Sequence, residues 1–279
     1  MSLVITSLNS GSNGNCYYIG NEQEAVLVDA GISCREIEKR LKRLGLSVHK
    51  IKAVFISHEH SDHIKGVEVL ARKHHLPVYI TPSTLISGGL KIKEDLVLPF
   101  KAYEHIKIGG LSITAFPKSH DASDPHSFVI SGNGVTIGVL TDIGYACGHV
   151  IENFKKCHAV FLETNYDETM LEEGNYPFYL KRRIQSDKGH LSNRQALELF
   201  TRHKAPHLSY VLLSHLSKEN NSPQLVQKLF EQNAGHIKVI VASRDYETEV
   251  YKIQTPLLAH EIKMAPAQAP PGLAQMSLF

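Results

Sequence analysis

The feature that most constrains this chain is six residues long: His58-Glu59-His60-Ser61-Asp62-His63, directly after a short apolar run at 53–57. Four ligand-type side chains this close together at a strand end cannot all be satisfied as core histidines. Such a density of imidazole and carboxylate is what a divalent metal site requires. Along a strand, residues two apart point the same way, so His58 and His60 can grip one ion. The turn that follows then swings Asp62 and His63 toward a second. The composition agrees: 17 of 279 residues are histidine, and imidazole is the commonest metal ligand.

Six residues rarely complete a two-metal site, so further ligands are expected at other strand ends. His120 follows the predicted strand at 111–116, Asp142 ends the apolar run Val139-Leu140-Thr141, and His215 follows Val211-Leu212-Leu213-Ser214. Each alone reads as an ordinary loop residue. Together, all at predicted strand ends, they read as a site built on one rim of a sheet sandwich.

The rest of the composition excludes more than it selects. Hydrophobic residues make up 42% of the chain, enough for a core, which rules out wholesale disorder. No apolar run approaches the ~18 residues of a membrane span, and residues 1–9 lack a signal-peptide pattern. A cytoplasmic protein with no membrane partner is expected. The four cysteines form no C-x-x-C pair, so they read as incidental or buried thiols. A net charge of +2 decides nothing about partners.

Strands are predicted at 3–8, 16–19, 25–28, 53–57, 78–81, 103–108, 111–116, 127–131, 135–140, 159–163, 208–213 and 238–241. Helices are predicted over 33–44, capped by Ser33, and over 64–75, 192–203 and 223–230. Meandering strands with interspersed helices fit packed sheets covered by helices, an α/β fold. The globular domain is assigned to 1–258. Residues 259–274 are rich in Pro and Ala and read as a stiff linker of about 3.1 Å per residue, and 275–279 form a tip.

In order and spacing, Asp29, the 58–63 run, His120, Asp142 and His215 resemble the metallo-β-lactamase fold hydrolases. The resemblance implies an αββα sandwich with two divalent ions (Zn, Mn or Fe) on one edge of the sheets. It assigns His58, His60 and His120 to one metal and Asp62, His63 and His215 to the other, with Asp142 between them. Asp29 would fix the histidine loop from behind, as carboxylates behind metal ligands often do.

Two metals acidify a shared water and stabilise attacking and leaving oxygens, which suits lactams, thioesters or phosphodiesters alike. Asp142 stands where many lactamases of this fold carry cysteine. Glyoxalase II would carry a helical C-terminal domain, whereas the segment after His215 reads as helix and strand before a Pro-rich stretch. The segment Gly189-His190-Leu191-Ser192-Asn193 is similar to the G-H-S-T segment of ribonuclease Z, which makes His190 a candidate general acid. The alternative for His190 is a plain position next to the helix cap Ser192. With Asp62 on the metal side, His190 completes the catalytic pair. Lys181, Arg182 and Arg183 offer positive charge either to a phosphate backbone or simply to solvent.

Among nucleases, the segments at 9–15, 120–125 and 176–193 look like the YycJ/WalJ-like family of bacterial proteins. That family is associated with metal-dependent 5′-to-3′ DNA exonuclease activity, hence with DNA repair or replication. The interval from Asp142 to His215 is too short for the insertion of the β-CASP nucleases. The backbone around Ser12, Asn13 and Asn15 either holds a phosphate or is only a turn. The end of the chain, Gln275-Met276-Ser277-Leu278-Phe279, resembles the bacterial sliding-clamp binding motif. Leu278 and Phe279 would be apolar anchors and Gln275 a hydrogen-bonding group. The expectation is a DNA exonuclease recruited to the clamp. An RNA-processing or small cyclic phosphodiesterase on the same site is the alternative, as is a metal-stabilised DNA- or clamp-binding module without turnover.

Overall fold

The computed structural model describes residues 2–255; the expected linker and the clamp-binding tip lie outside the described residues. The strands are β1 Ser2–Asn9, β2 Cys16–Gly20, β3 Ala25–Val28, β4 Ile51–Phe55, β5 Val78–Tyr79, β6 Val97–Leu98, β7 His105–Ile108, β8 Leu111–Pro117, β9 His126–Gly132, β10 Val135–Leu140, β11 Ala159–Glu163, β12 Tyr210–Ser214, β13 Lys238–Val241 and β14 Tyr251–Gln254. They form two sheets, in the orders β14-β1-β2-β3-β4-β5-β6 and β13-β12-β11-β10-β9-β8-β7. The helices are α1 Cys34–Arg43, α2 Ser61–Ile64, α3 Val67–His74, α4 Pro82–Ser87, α5 Gly148–Phe154, α6 Glu168–Glu173, α7 Phe178–Gln185, α8 Asn193–His203 and α9 Pro223–Ala234.

Strand alternation decides the layers. In β1, Leu3 and Ile5 face a central core that also takes Ile113, Phe128, Ile137 and Phe161 from the other sheet. A second cluster joins the outer face of the first sheet to α1 and α3 through Ile37, Leu41, Val67 and Leu70. A third covers the second sheet with Val150, Phe200 and Phe230 from α5, α8 and α9. Apolar surface removed from water on three interfaces drives this stacking, at about 25 cal/mol per Å². The result is the expected αββα sandwich.

Each sheet changes from antiparallel to parallel pairing partway across, at β3–β4 in one and β10–β11 in the other. In the parallel part, every strand ends on the same rim, and there β4, β10, β11 and β12 deliver their loops.

Several boundaries differ from the sequence expectation. The strand before the histidine run is Ile51–Phe55, so His58 and His60 stand in an extended loop beyond it. The single helix expected at 64–75 is two pieces, because Gly66 sits against the 30–32 segment, where a Cβ would fall 2.0 Å from the Ile32 carbonyl oxygen. The strand expected from 103 begins at His105, since Tyr103 adopts φ +65°. Strand β14, pairing antiparallel with β1, had no expectation, nor did α4 to α7. No helix among the described residues is long and apolar enough to cross a membrane.

Candidate metal centre

The rim gathers the histidines and carboxylates into one buried cluster. His58 Nε2 lies 3.1 Å from His60 Nδ1, which is 3.3 Å from His120 Nε2. Zinc–nitrogen bonds of about 2.0–2.1 Å in tetrahedral geometry would set such nitrogens about 3.3–3.4 Å apart. Beside them, His63 Nε2 lies 3.5 Å from Asp62 Oδ2 and 3.3 Å from Asp142 Oδ2, and His215 Nε2 lies 3.5 Å from Asp62 Oδ2. Asp142 reaches both groups, with its other oxygen 3.9 Å from His120 Nε2.

Two atoms test whether a cation fits. His215 Nε2 and Asp142 Oδ2 are buried without a hydrogen-bond partner among the described residues. Burying such acceptors unpaired is costly, and an ion among these donors removes that cost. The mixed imidazole–carboxylate set suits Zn, Mn or Fe.

Backbone strain marks the same residues. Asp29, Asp142 and His215 adopt φ of +61°, +55° and +58°, a region that non-glycine residues rarely occupy. Each stands just past a strand, at Val28, Leu140 or Ser214, where the chain must turn its side chain inward.

What stands behind each imidazole fixes its tautomer. Asp29 Oδ2 accepts from His63 Nδ1 at 2.7 Å and from the Ser57 hydroxyl at 2.9 Å, while its Oδ1 accepts from the Ser57 amide at 2.8 Å. The same hydroxyl accepts from His58 Nδ1 at 2.8 Å. Asp29 thus ties Ser57 to His63 across the loop. His120 Nδ1 donates to the Gly189 carbonyl at 3.0 Å. At Gly189 a Cβ would fall 2.1 Å from the Ile184 carbonyl oxygen, so only glycine lets this segment fold back on α7.

Glu163 is the residue that sequence reasoning missed. Fully buried at the end of β11, its Oε1 accepts from His215 Nδ1 and His190 Nδ1, both at 2.9 Å. Its Oε2 accepts from the Ile143 amide at 2.7 Å and the Leu191 amide at 3.2 Å, which fixes the chain beyond Asp142 and His190. The signal was available: Ala159-Val160-Phe161-Leu162-Glu163 is an apolar strand stopping on a carboxylate, the pattern that picked out Asp142. His190 is half-buried, with its ring 5.2 Å from those of His120 and His215.

Burial pushes His58 well below the usual imidazole range and His120 down to about 3. Burial also opposes charge on His63, but Asp142, Asp29 and Asp62 outweigh it and hold that imidazole well above its usual range. His215 follows the same logic: against burial, Asp142, Asp62 and Glu163 raise it to about 10. Burial resists ionisation of Glu163, yet His190 and His215 bring its carboxyl down to about 2.

The expected substrate contacts fare unevenly. Asn15 is fully buried and spends its amide on Asp62 Oδ2 at 3.2 Å and His63 Nε2 at 3.1 Å. Its amide is thus spent on two atoms of the donor cluster rather than on a substrate. The amides of Ser10, Gly11, Gly14 and Asn15 all donate within the protein, which removes most of the expected phosphate cradle. Ser12 and Asn13 are exposed and contact Arg244. Arg183 is paired with Asp121, whose Oδ1 is 3.4 Å from His120 Nε2. Arg182 is exposed, over the Phe178 ring at 5.5 Å.

Comparison with known proteins bears on what such a rim does. The family model described as Beta-lactamase superfamily domain matches residues 24–216. The chain is 34% identical over 237 residues to Exodeoxyribonuclease YycJ of Bacillus anthracis, covering 83% of this chain and 89% of that protein. It is 33% identical over 261 residues to Exodeoxyribonuclease WalJ of Streptococcus pneumoniae strain D39, covering 88% and 96%. Among solved structures, the metallo-β-lactamase fold protein YhfI of Bacillus subtilis superposes with a TM-score of 0.70 at 16% identity, covering 90% of this chain and all of that one. Human tRNase Z, short form, gives 0.60 at 16%, over 91% and 100%. These two likenesses show the fold.

Proposed function

The chain belongs to the β-lactamase superfamily, as a metallo-β-lactamase fold hydrolase similar to the YycJ/WalJ proteins, and on that premise we propose that it is a two-metal phosphodiesterase degrading DNA from a 5′ end. The observation that carries the reading is the pairing of Glu163 with His190 at 2.9 Å beside the converged donors. A thioester site has less need of such an acid, because a thiolate departs more readily than an alkoxide. The relatives named exodeoxyribonuclease supply DNA as the substrate class.

His58, His60 and His120 would hold one divalent ion, and Asp62, His63 and His215 the other, with Asp142 shared. Bound ions acidify a water and neutralise phosphoryl oxygens. The chain's own residues do the remainder. Asp29 and Ser57 keep His63 and His58 in the tautomers that leave Nε2 free for the ligand position. Asn15 steadies Asp62. His190 keeps Nδ1 on Glu163, which orients the ring and leaves Nε2 to give a proton to the departing sugar oxygen. On α7, exposed Arg182 and the exposed rings of Phe178 and Tyr179 offer charge and stacking surface to a strand. Recruitment to the sliding clamp through Gln275, Leu278 and Phe279 in the cytoplasm completes the proposal.

The test is cleavage of 5′- and 3′-labelled single- and double-stranded DNA with Mn²⁺, with Asp62→Ala as control. Stepwise release from the 5′ end, absent in the variant, supports the reading. Activity on RNA or a cyclic diester alone would keep the site and overturn the substrate. DNA affinity with no turnover on any diester would replace the enzyme by a binding module. Unchanged clamp capture after deletion of 275–279 would remove the tether.

A further inference from the structure

A cleft of about 340 Å³ opens at the residue after His215. One wall is Leu216, Ser217 and Lys218, and the other is the Ser243–Tyr246 turn that follows β13. Ser10 lines it too, and its hydroxyl accepts the His215 amide at 2.8 Å. The cleft and the candidate metal centre thus share a hydrogen bond and adjoin through one residue of chain.

Its chemistry is that of an anion with a flat ring attached. Lys218 and Arg244 are the cations lining it, against one carboxylate, Asp245. Arg244 Nη2 donates to Ser12 Oγ at 3.1 Å, the side chain's one hydrogen bond among the described residues. Its Nε is buried with no partner. A guanidinium has five donors in a fork that matches phosphate oxygens, so this one is held in place and mostly unspent. Tyr246 stands at the cleft with its side chain largely exposed, although nothing about its turn requires an aromatic there. The 12-residue helix α9, capped by Ser222, begins at Pro223 on the cleft wall and adds the positive end of its dipole.

We propose that this cleft is a nucleotide subsite for the strand flanking the scissile phosphate. A backbone phosphate takes Arg244 and Lys218, and its base stacks on Tyr246. The volume of about 340 Å³ is on the scale of one nucleotide, and stacking on Tyr246 needs an unpaired base, so the proposed occupant is single-stranded nucleic acid. Ser12 and Asn13, the exposed tip of the 10–15 loop, act by holding Arg244 in position. The inference rests on the phosphodiesterase reading and names how its substrate is gripped.

The experiment uses the metal-loaded full chain and its Arg244→Met, Tyr246→Ala and Tyr246→Phe variants. Binding of a labelled, non-cleavable phosphorothioate single strand is read by fluorescence anisotropy. Arg244→Met and Tyr246→Ala should each weaken it by about ten-fold or more, and Tyr246→Phe should restore parental binding, because stacking needs the ring alone. On cleavable oligonucleotide the loss should fall on KM rather than kcat. Parental affinity in both disruptive variants would overturn the subsite while leaving the activity intact. Failure of the parent to hydrolyse DNA or bis(p-nitrophenyl) phosphate would overturn the activity, and the anisotropy series would still decide the cleft.

Discussion

The two halves of the donor cluster use the same side chains and support them by opposite means. His58 and His120 rest on neutral acceptors, the Ser57 hydroxyl and the Gly189 carbonyl. His63 and His215 rest directly on carboxylates, Asp29 and Glu163. Burial therefore governs the first pair and drives them neutral, while carboxylates govern the second and drive them charged. The first half is ready for a cation at neutral pH. The second must release protons to take one, so its affinity climbs steeply with pH.

Removing Asp62, which lies 3.5 Å from both His63 Nε2 and His215 Nε2, should have the largest effect. Asp62→Ala should abolish hydrolysis and leave metal analysis near one ion per chain, held by His58, His60 and His120. Two ions retained would mean that the halves are not separately assembled.

Weakening the support behind the charged half comes next. Glu163→Gln leaves an amide nitrogen facing either the imidazoles or the Ile143 and Leu191 amides, since both oxygens now accept. Activity or metal affinity should fall about 10–100-fold, as for other groups behind metal ligands. Asp29→Asn should do the same for His63, and kinetics with metal titration reads both.

The pH dependence of the metal-free protein sharpens the contrast. His120 ionises at about 3 folded and at about 6.5 unfolded. Between those values the unfolded chain binds more protons, so this stabilisation is lost as pH falls. His215 is raised to about 10, so its contribution stands below about 6.5 and is lost as pH rises toward 10. Thermal melts from pH 4 to 10 should peak near neutrality. His215→Gln should shrink the alkaline limb, leaving the part that His63 contributes, and spare the acid one; loss of both limbs together would contradict the division. Smallest of all, Ser57→Ala removes the hydroxyl that joins His58 to Asp29 and should cost about 1–2 kcal/mol in denaturant unfolding.

The sequence exposed the candidate donors because they are dense and local: the 58–63 run is legible without any fold, and His120, Asp142 and His215 each follow an apolar strand. Long alternating strands such as β8 and β10 were equally plain. Support was harder to read. Glu163 shares the Asp142 pattern, but its partners His190 and His215 lie 27 and 52 positions away in sequence, so only the packed sheet reveals the pairing. Asn15 read as a substrate contact because no local signal says that its amide turns inward to Asp62. Helices α4 to α7 are short, six to eight residues, too brief to show a helical period. Strand β14 is four residues and draws its stability from pairing with β1.

On the proposed reading, the phosphodiesterase protonates its leaving group through His190, held on Glu163. The most direct measurement compares His190→Ala on DNA with the same variant on bis(p-nitrophenyl) phosphate, whose phenolate leaves without a proton. The predicted result is a loss of about 10²–10⁴-fold on DNA, with near-parental turnover of the nitrophenyl diester. An equal loss on both substrates would contradict it, and would assign His190 to holding the metal ligands instead.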